Sequence, residues 1–234
     1  MIDLGRRDGR LLRIGHRGAG ALAPENSLEA IALAVELGCD LVEFDVHAIG
    51  DALVVVHDRP QAAQQELPSL DDVLEFLRGS GAGVHLDLKA HGAEPAVAAA
   101  LRRHGLVDRT VVSSFRAATL RALHIAEPAL RLGKTYPQDR TGLTKRPIFH
   151  PPARAIVRAL KRTLPRRIGG LLRAAHATAA VLYWEVLTTA VVARCHALGA
   201  PVLAWTVDDP ELVPWLDRLG VDGVVTNDPR IFGG

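Results

Sequence analysis

Three short apolar runs near the start of the chain each end on side chains equipped for acid–base work. Ile14-Gly15 leads into His16-Arg17-Gly18, Leu41-Val42 into Glu43-Phe44-Asp45-Val46, and Leu53 to Val56 into His57-Asp58. On a strand, successive side chains alternate, so Glu43 and Asp45 share one face. Two carboxylates that close repel each other unless a cation lies between them. The imidazoles of His16 and His57, with a reference pKa near 6.5, can give and take protons at neutral pH. Arg17 and Lys89 can grip anionic oxygens, the arginine in bidentate fashion. That set suits cleavage of a phosphodiester, which requires its charge to be neutralised and two protons to be moved.

Such residues act together only if the fold brings strand ends to one place. Apolar periodicity alternates between strand and helix and predicts strands over 12–16, 41–47, 84–88, 110–113, 130–133, 179–183, 201–205 and 222–225, with an extra run over 52–56. Asn26 with Glu29 has the form of a capping box, followed by Leu28, Ile31, Ala32 and Val35 on one stripe before Gly38. Ser69 caps a second predicted helix, and Asp209-Pro210 opens a third. Eight strand–helix units in 234 residues predict a single-domain TIM (β/α)8 barrel spanning 1–234, for which about 250 residues are typical. His16, Glu43, Asp45, Asp87, Lys89, Ser113, Lys134, Trp205 and Asn227 all fall at or just past strand C-termini, where such barrels carry their sites. A doubly wound sheet is the competing architecture, but Gly18-Ala19-Gly20 is too short for its phosphate-binding loop.

Apolar residues make up 48% of the chain and charged residues 23%, which is ordinary globular usage. No run approaches the roughly 18 apolar residues of a membrane span, and Met1 to Arg13 has no leader character, so the chain is expected in the cytoplasm. Cys39 and Cys195 have neither metal-binding nor disulfide spacing and are expected as buried thiols. The net charge of +2 conceals an asymmetry: ten of the 28 Lys and Arg lie between Arg140 and Trp184, which contains no Asp or Glu. A basic helical insertion over 137–178, after the fifth strand, is therefore expected.

The ordered motifs resemble the glycerophosphodiester phosphodiesterase family: His16-Arg17-Gly18, Pro24-Glu25-Asn26, Glu43-Phe44-Asp45-Val46, His57-Asp58, Asp87-Leu88-Lys89 and Trp205-Thr206-Val207. The resemblance runs from about residue 12 to 230 and is weakest between 135 and 180. It implies metal-dependent hydrolysis of glycerophosphodiesters, with His16 and His57 as acid and base and Arg17, Lys89 and Trp205 on the substrate. The glycerol 2-hydroxyl would attack phosphorus, and water would open the resulting cyclic phosphate. The implied cation ligands are Glu43, Asp45 and Asp87, and three carboxylates favour Ca²⁺ or Mg²⁺ over zinc. The family usually has Glu where this chain has Asp87, a loss of roughly an ångström of reach.

Only Arg59 to Pro68 separate His57 from the next helix cap, which predicts an open mouth tolerant of large head groups or acyl chains. Within the basic stretch, Ile156, Val157, Leu160 and Leu164 share a helical face opposite Arg154, Arg158, Lys161 and Arg162. A helix of this kind, over 153–173, suits contact with an anionic membrane, or it is a lid with a solvated face. Nucleic acid is not expected as a partner, because aromatic residues are not interleaved with the basic ones. His47, His85, His91, His104 and His124 read as surface or satisfied residues, and Ser113-Ser114 lacks the partners of a nucleophilic triad. Two functions from different classes stand at this point. One is a hydrolase of glycerophosphodiesters or, at a membrane, of lysophospholipids; the other is a phospholipid head-group binder without turnover, which would need neither imidazole.

Overall fold

The computed structural model describes residues 2–58, 67–138 and 151–233. Nine strands form one sheet: β1 (Leu12–Gly15), β2 (Leu41–Ile49), β3 (Ala52–Val55), β4 (Gly83–Leu88), β5 (Thr110–Ser114), β6 (Arg131–Tyr136), β7 (Ala179–Tyr183), β8 (Val202–Trp205) and β9 (Gly223–Thr226). Eight of them pair in parallel, and β1 pairs with both β9 and β2, which closes the barrel. The extra apolar run is β3, an antiparallel hairpin partner of β2 that carries the chain up to His57. Helices α1 (Leu28–Glu36), α2 (Leu70–Gly79), α3 (Glu94–Arg103), α4 (Ala117–Ala126), α5 (Pro151–Ala175), α6 (Thr189–His196) and α7 (Leu212–Leu219) connect them. The expected TIM barrel is the fold.

Strand alternation divides the core. On β2, Val42, Phe44 and Val46 face outward onto the helices, while Leu41 faces the barrel axis with Leu12, Ile14, Val111, Val181, Leu203 and Val225. Leu4, fully buried, and Ile2 plug the N-terminal end of this axis. The apolar floor thus stops at about mid-height, and inward positions nearer the strand C-termini carry polar groups. Both cysteines are buried free thiols whose pKa burial pushes up to about 12.

Three expected details change. Ser27, not Asn26, caps α1: its side chain accepts from the Ala30 N–H, while Asn26 takes a left-handed conformation at φ 63° and turns inward. After Asp209-Pro210 the chain makes a turn before α7 begins at Leu212, with Asp209 Oδ1 accepting from the Glu211 N–H. In the basic stretch, residues 139–150 lie outside the described residues, and α5 is the crossover between β6 and β7. Its apolar stripe runs through Leu164, Ile168, Leu172 and Ala175, which are buried, whereas Ile156 is 48% exposed. Ser69 caps α2 as expected, in a capping box with Asp72.

Asp40, at the foot of β2, ties the N-terminal segment to the barrel. Its carboxylate accepts from Arg10 Nη1 and Nη2 at 2.7 and 2.8 Å, from Arg7 Nη1 at 2.9 Å and from the Arg13 N–H at 2.9 Å. Burial works against this charge, but the bonds from Arg10 and the Arg13 N–H outweigh it and hold the carboxyl below its ordinary pKa. A depressed folded-state pKa means that the stabilisation is present above the unfolded value near 3.9 and is lost as pH falls through the folded one. We predict that Asp40→Asn lowers stability at pH 7 by on the order of 1 to 2 kcal/mol, because the half-exposed Arg7 and Arg10 are screened by solvent. Denaturant titrations of both proteins should converge at acid pH below that folded value; a gap that is constant with pH would show that the charge is not the cause.

Candidate active site

Glu43 and Asp45 on β2, and His85 and Asp87 on β4, point into the upper half of the barrel, with Glu43 in register with His85 and Asp45 with Asp87. All four are buried. Lys89, just past β4, places its ammonium between two of the carboxylates, 2.8 Å from Asp45 Oδ1 and in a short ion pair with Asp87 Oδ2. Burial works against the ammonium, but Asp87, Asp45 and Glu43 outweigh it and raise its pKa. For Asp45 the balance runs the other way: burial would raise its pKa, but Lys89 and then Arg17 hold it low. Glu43 has less cationic compensation. Burial and the charge of Asp45 push its pKa well up.

The His16-Arg17-Gly18 turn follows β1. Gly18 has φ 81°, and a Cβ there would lie 2.5 Å from the Ala30 carbonyl oxygen, so only glycine lets the turn pack on α1. Arg17, itself at φ 53°, donates its N–H to Glu43 Oε2 at 2.9 Å, sets Nε 3.1 Å from Asp45 Oδ2 and binds Glu25. Asn26 completes the clamp. Its Nδ2 donates to Asp45 Oδ2 at 3.1 Å and its Oδ1 accepts from the Asp45 N–H at 3.0 Å.

His16 is oriented from the far end of the chain. Asn227 donates its N–H and Nδ2 to the two oxygens of Asp208, each at 2.8 Å, which leaves its Oδ1 facing His16 Nδ1 at 2.6 Å. An amide oxygen can only accept, so His16 carries its proton on Nδ1 and presents Nε2, 3.9 Å from Glu43 Oε2. Burial and the neighbouring Arg17 push its pKa down to about 4. His57 enters from the β3 side, where the Val56 N–H donates to the Asp45 carbonyl and His47 Nε2 lies 3.1 Å from the His57 carbonyl. His57 Nδ1 is 3.0 Å from Asp58 Oδ2.

An aromatic wall stands opposite. Trp205 packs edge-on to Phe115 at 5.7 Å and beside Tyr183 at 5.6 Å, while its Nε1 donates to the Val181 carbonyl. Phe115 in turn lies 5.8 Å from the Lys89 ammonium. Trp184 belongs to a second aromatic pair with Trp215. Lys134 gives its ammonium to the Phe115 and Thr135 carbonyls, and burial lowers its pKa to about 8.

The expected residues His16, Arg17, Glu43, Asp45, His57, Asp87 and Lys89 therefore come to one end of the barrel, with Trp205 beside them. Asp87 is engaged by its neighbours. Its Oδ1 accepts from Ser113 Oγ at 2.6 Å and lies 3.5 Å from Thr135 Oγ1, and its Oδ2 faces Lys89. With one methylene fewer than Glu, the carboxylate is held by neighbouring strands, and among the described residues no group of three His, Cys, Asp or Glu is arranged to hold a metal ion. Glu43 fits a hard cation, being buried, oxygen-donating and short of cationic compensation, and Asp45 offers a second carboxylate on the same face of β2. His85 is buried, with Nε2 3.0 Å from Ser113 Oγ and Nδ1 unpartnered. Because Ser113 donates to Asp87, it accepts from His85, so a chain His85–Ser113–Asp87–Lys89–Asp45 runs across three strands. Sequence reading left Asn26, His85, Ser113, Asp208 and Asn227 without these roles; only the strand-end positions of Ser113 and Asn227 hinted at them.

A parallel barrel whose mouth gathers buried carboxylates, two cationic side chains and two imidazoles defines a barrel enzyme for anionic substrates. The comparisons with known proteins narrow this class. The chain belongs to the glycerophosphoryl diester phosphodiesterase family, which it matches over residues 16–78 and 61–231, and is a phosphodiesterase. It is 25% identical over 257 residues to a glycerophosphodiester phosphodiesterase of Caldanaerobacter subterraneus, covering 94% of this chain and 96% of that one. It is 29% identical over 252 residues to the probable glycerophosphodiester phosphodiesterase 2 of Mycobacterium tuberculosis, covering 94% and 89%. Among solved structures, an Oleispira antarctica phosphodiesterase in complex with the product sn-glycerol-3-phosphate superposes with a TM-score of 0.71 at 24% identity, covering 93% of each chain.

The hydrogen bond from His16 to Asn227 makes a specific claim about the proton on Nδ1. We predict that Asn227→Ala lowers kcat by about 10- to 100-fold, as for other residues that orient a functional histidine, while KM moves less than about threefold. The ¹⁵N shifts of His16 should report loss of the Nδ1–H tautomer. An unchanged tautomer with unchanged kcat would remove Asn227 from the account.

Proposed function

We propose that this protein hydrolyses glycerophosphodiesters to an alcohol and glycerol phosphate. The observation that supports this reading is that the Arg17 guanidinium and the Lys89 ammonium both lie against Asp45, with the His16 imidazole 3.9 Å from Glu43 and His57 following β3, the hairpin partner of β2. The Oleispira relative, which binds glycerol phosphate as product, supports a substrate of this class.

In the mechanism, Arg17 and Lys89 bind the anionic phosphoryl oxygens and the aromatic face of Trp205 bounds the substrate. His16, buried beside Arg17 and with its lone pair on Nε2, takes the proton of the attacking hydroxyl. His57 then gives a proton to the leaving alcohol. Attack by the glycerol 2-hydroxyl leaves a cyclic phosphate, which water opens as the two imidazoles exchange roles. Glu43 and Asp45 would hold one divalent cation, Ca²⁺ or Mg²⁺, which when bound acidifies a hydroxyl and neutralises developing charge. Asp87 serves this site through Lys89, whose ammonium it seats.

Two further readings remain distinct. A head-group binder without turnover has no use for the Asn227–His16 arrangement. Lysophospholipase D-type activity at a membrane surface is favoured by the exposed basic part of α5. Choline release from glycerophosphocholine and lysophosphatidylcholine, assayed with Ca²⁺, Mg²⁺ or chelator, separates them. Release that stops on chelation and returns with metal is expected. Release indifferent to chelator would remove the cation from the scheme, and binding without release would leave only the head-group binder.

His16→Ala and His57→Ala are each predicted to lower kcat by about 10²- to 10⁴-fold, with substrate affinity changed far less. A variant with near-normal turnover would take that histidine out of the mechanism.

A further inference from the structure

Among the described residues, six of the seven α-helices contain eight to ten residues, whereas α5 contains 25. At a rise of 1.5 Å per residue the contour of α5, which contains Pro165, is about 37 Å long. The six-residue strand β6 that precedes it spans only about 20 Å. The C-terminal end of α5 is fixed at the foot of the barrel, because only three residues separate Ala175 from the start of β7. Its upper contacts, Leu160 and Leu164, join the cluster that includes Trp184 and Val186, which follow β7 at the mouth. The turns of α5 before Leu160 therefore extend past the contacts that tie the helix to the barrel, at its N-terminal end, which follows β6 on the side of the strand C-termini.

The composition of this overhang is one-signed. Arg154, Arg158 and Arg162 are exposed, Lys161 is half-buried, and Arg166 and Arg167 continue the exposed charge below. Among the described residues no carboxylate pairs with any of them. Ile156, 48% exposed, adds an apolar side chain to the same overhang. Clustered Arg and Lys with an exposed apolar residue match an interface of anionic head groups over acyl chains, where each cation near the surface adds to binding.

We propose that the N-terminal overhang of α5 docks the barrel mouth on an anionic lipid bilayer. Arg154, Arg158 and Arg162 meet the phosphate head groups, and Ile156 enters the acyl boundary. No helix among the described residues is long and apolar enough to span a bilayer, so the contact is peripheral. Docking deepens the proposed function by naming the surface from which substrate is taken, but it does not depend on turnover.

The test is co-sedimentation of the whole protein with phosphatidylcholine vesicles with or without phosphatidylglycerol, beside the Arg158→Glu/Arg162→Glu and Ile156→Asp variants. Hydrolysis of soluble glycerophosphocholine is assayed in parallel as a check on folding and chemistry. We expect binding to phosphatidylglycerol vesicles only, at least a tenfold loss of partitioning in the charge reversal, a smaller loss in Ile156→Asp, and unchanged hydrolysis of the soluble substrate in both variants. Equal binding to both vesicle types, no binding to either, or full binding by the charge reversal would overturn the proposal. Binding to single-stranded RNA as tight as to anionic vesicles would overturn it too, by showing a general polyanion face. If wild-type protein binds anionic vesicles but leaves glycerophosphocholine intact, the docking stands and the proposed hydrolysis fails.

Discussion

Burying carboxylates at one end of a barrel is unfavourable unless cations are buried with them, and the mouth of this barrel is organised around that constraint. Glu43, Asp45 and Asp87 project inward from two neighbouring strands, and the Lys89 ammonium and Arg17 guanidinium are drawn in to meet them. The turn that delivers Arg17 exists because Gly18 permits close approach to α1, and Asn26 leaves helical geometry to hold Asp45 on both its backbone and its side chain. Groups that would each be unstable alone in a partly dry cavity are thereby held by one another. The same balance leaves Glu43 short of compensation, and this is where the protein's own cations stop being sufficient.

The apolar floor and the polar mouth are two consequences of one strand pattern. Inward residues low in the barrel, such as Leu41 and Val111, fill the axis, while the next inward positions on the same strands carry Glu43, Asp45 and Ser113. A rigid floor beneath the charges fixes their separation. The aromatic wall of Trp205, Phe115 and Tyr183 limits solvent on the opposite side, which strengthens the electrostatic interactions of the cluster.

The barrel and the identity of its charged residues could be read from sequence because both are local signals. Apolar runs mark strands, and Glu43-Phe44-Asp45 must share a face whatever surrounds it. Roles that depend on long-range partners could not. Asn227 meets His16 across 211 positions, and Asp87 is claimed by Ser113 26 residues away and Thr135 48 residues away. Local rules were also overridden once by a stronger demand: Asn26 has the chemistry of a helix cap, but it serves a buried Asp45, and adjacent Ser27 takes over the cap. In α5 the charge pattern was visible, whereas the height of the helix relative to the strands required the fold.

Glu43 is a buried carboxylate short of cationic compensation, and it is the proposed ligand of a divalent cation. Calorimetric titration of Ca²⁺ and of Mg²⁺ into the wild-type protein and into Glu43→Gln tests this directly, since glutamine keeps the acceptor for the Arg17 N–H and removes only the charge. Saturable binding of one cation to the wild type, weakened by at least about tenfold in the variant, is the expected result. No saturable binding of either ion, or equal affinity in the two proteins, would contradict it.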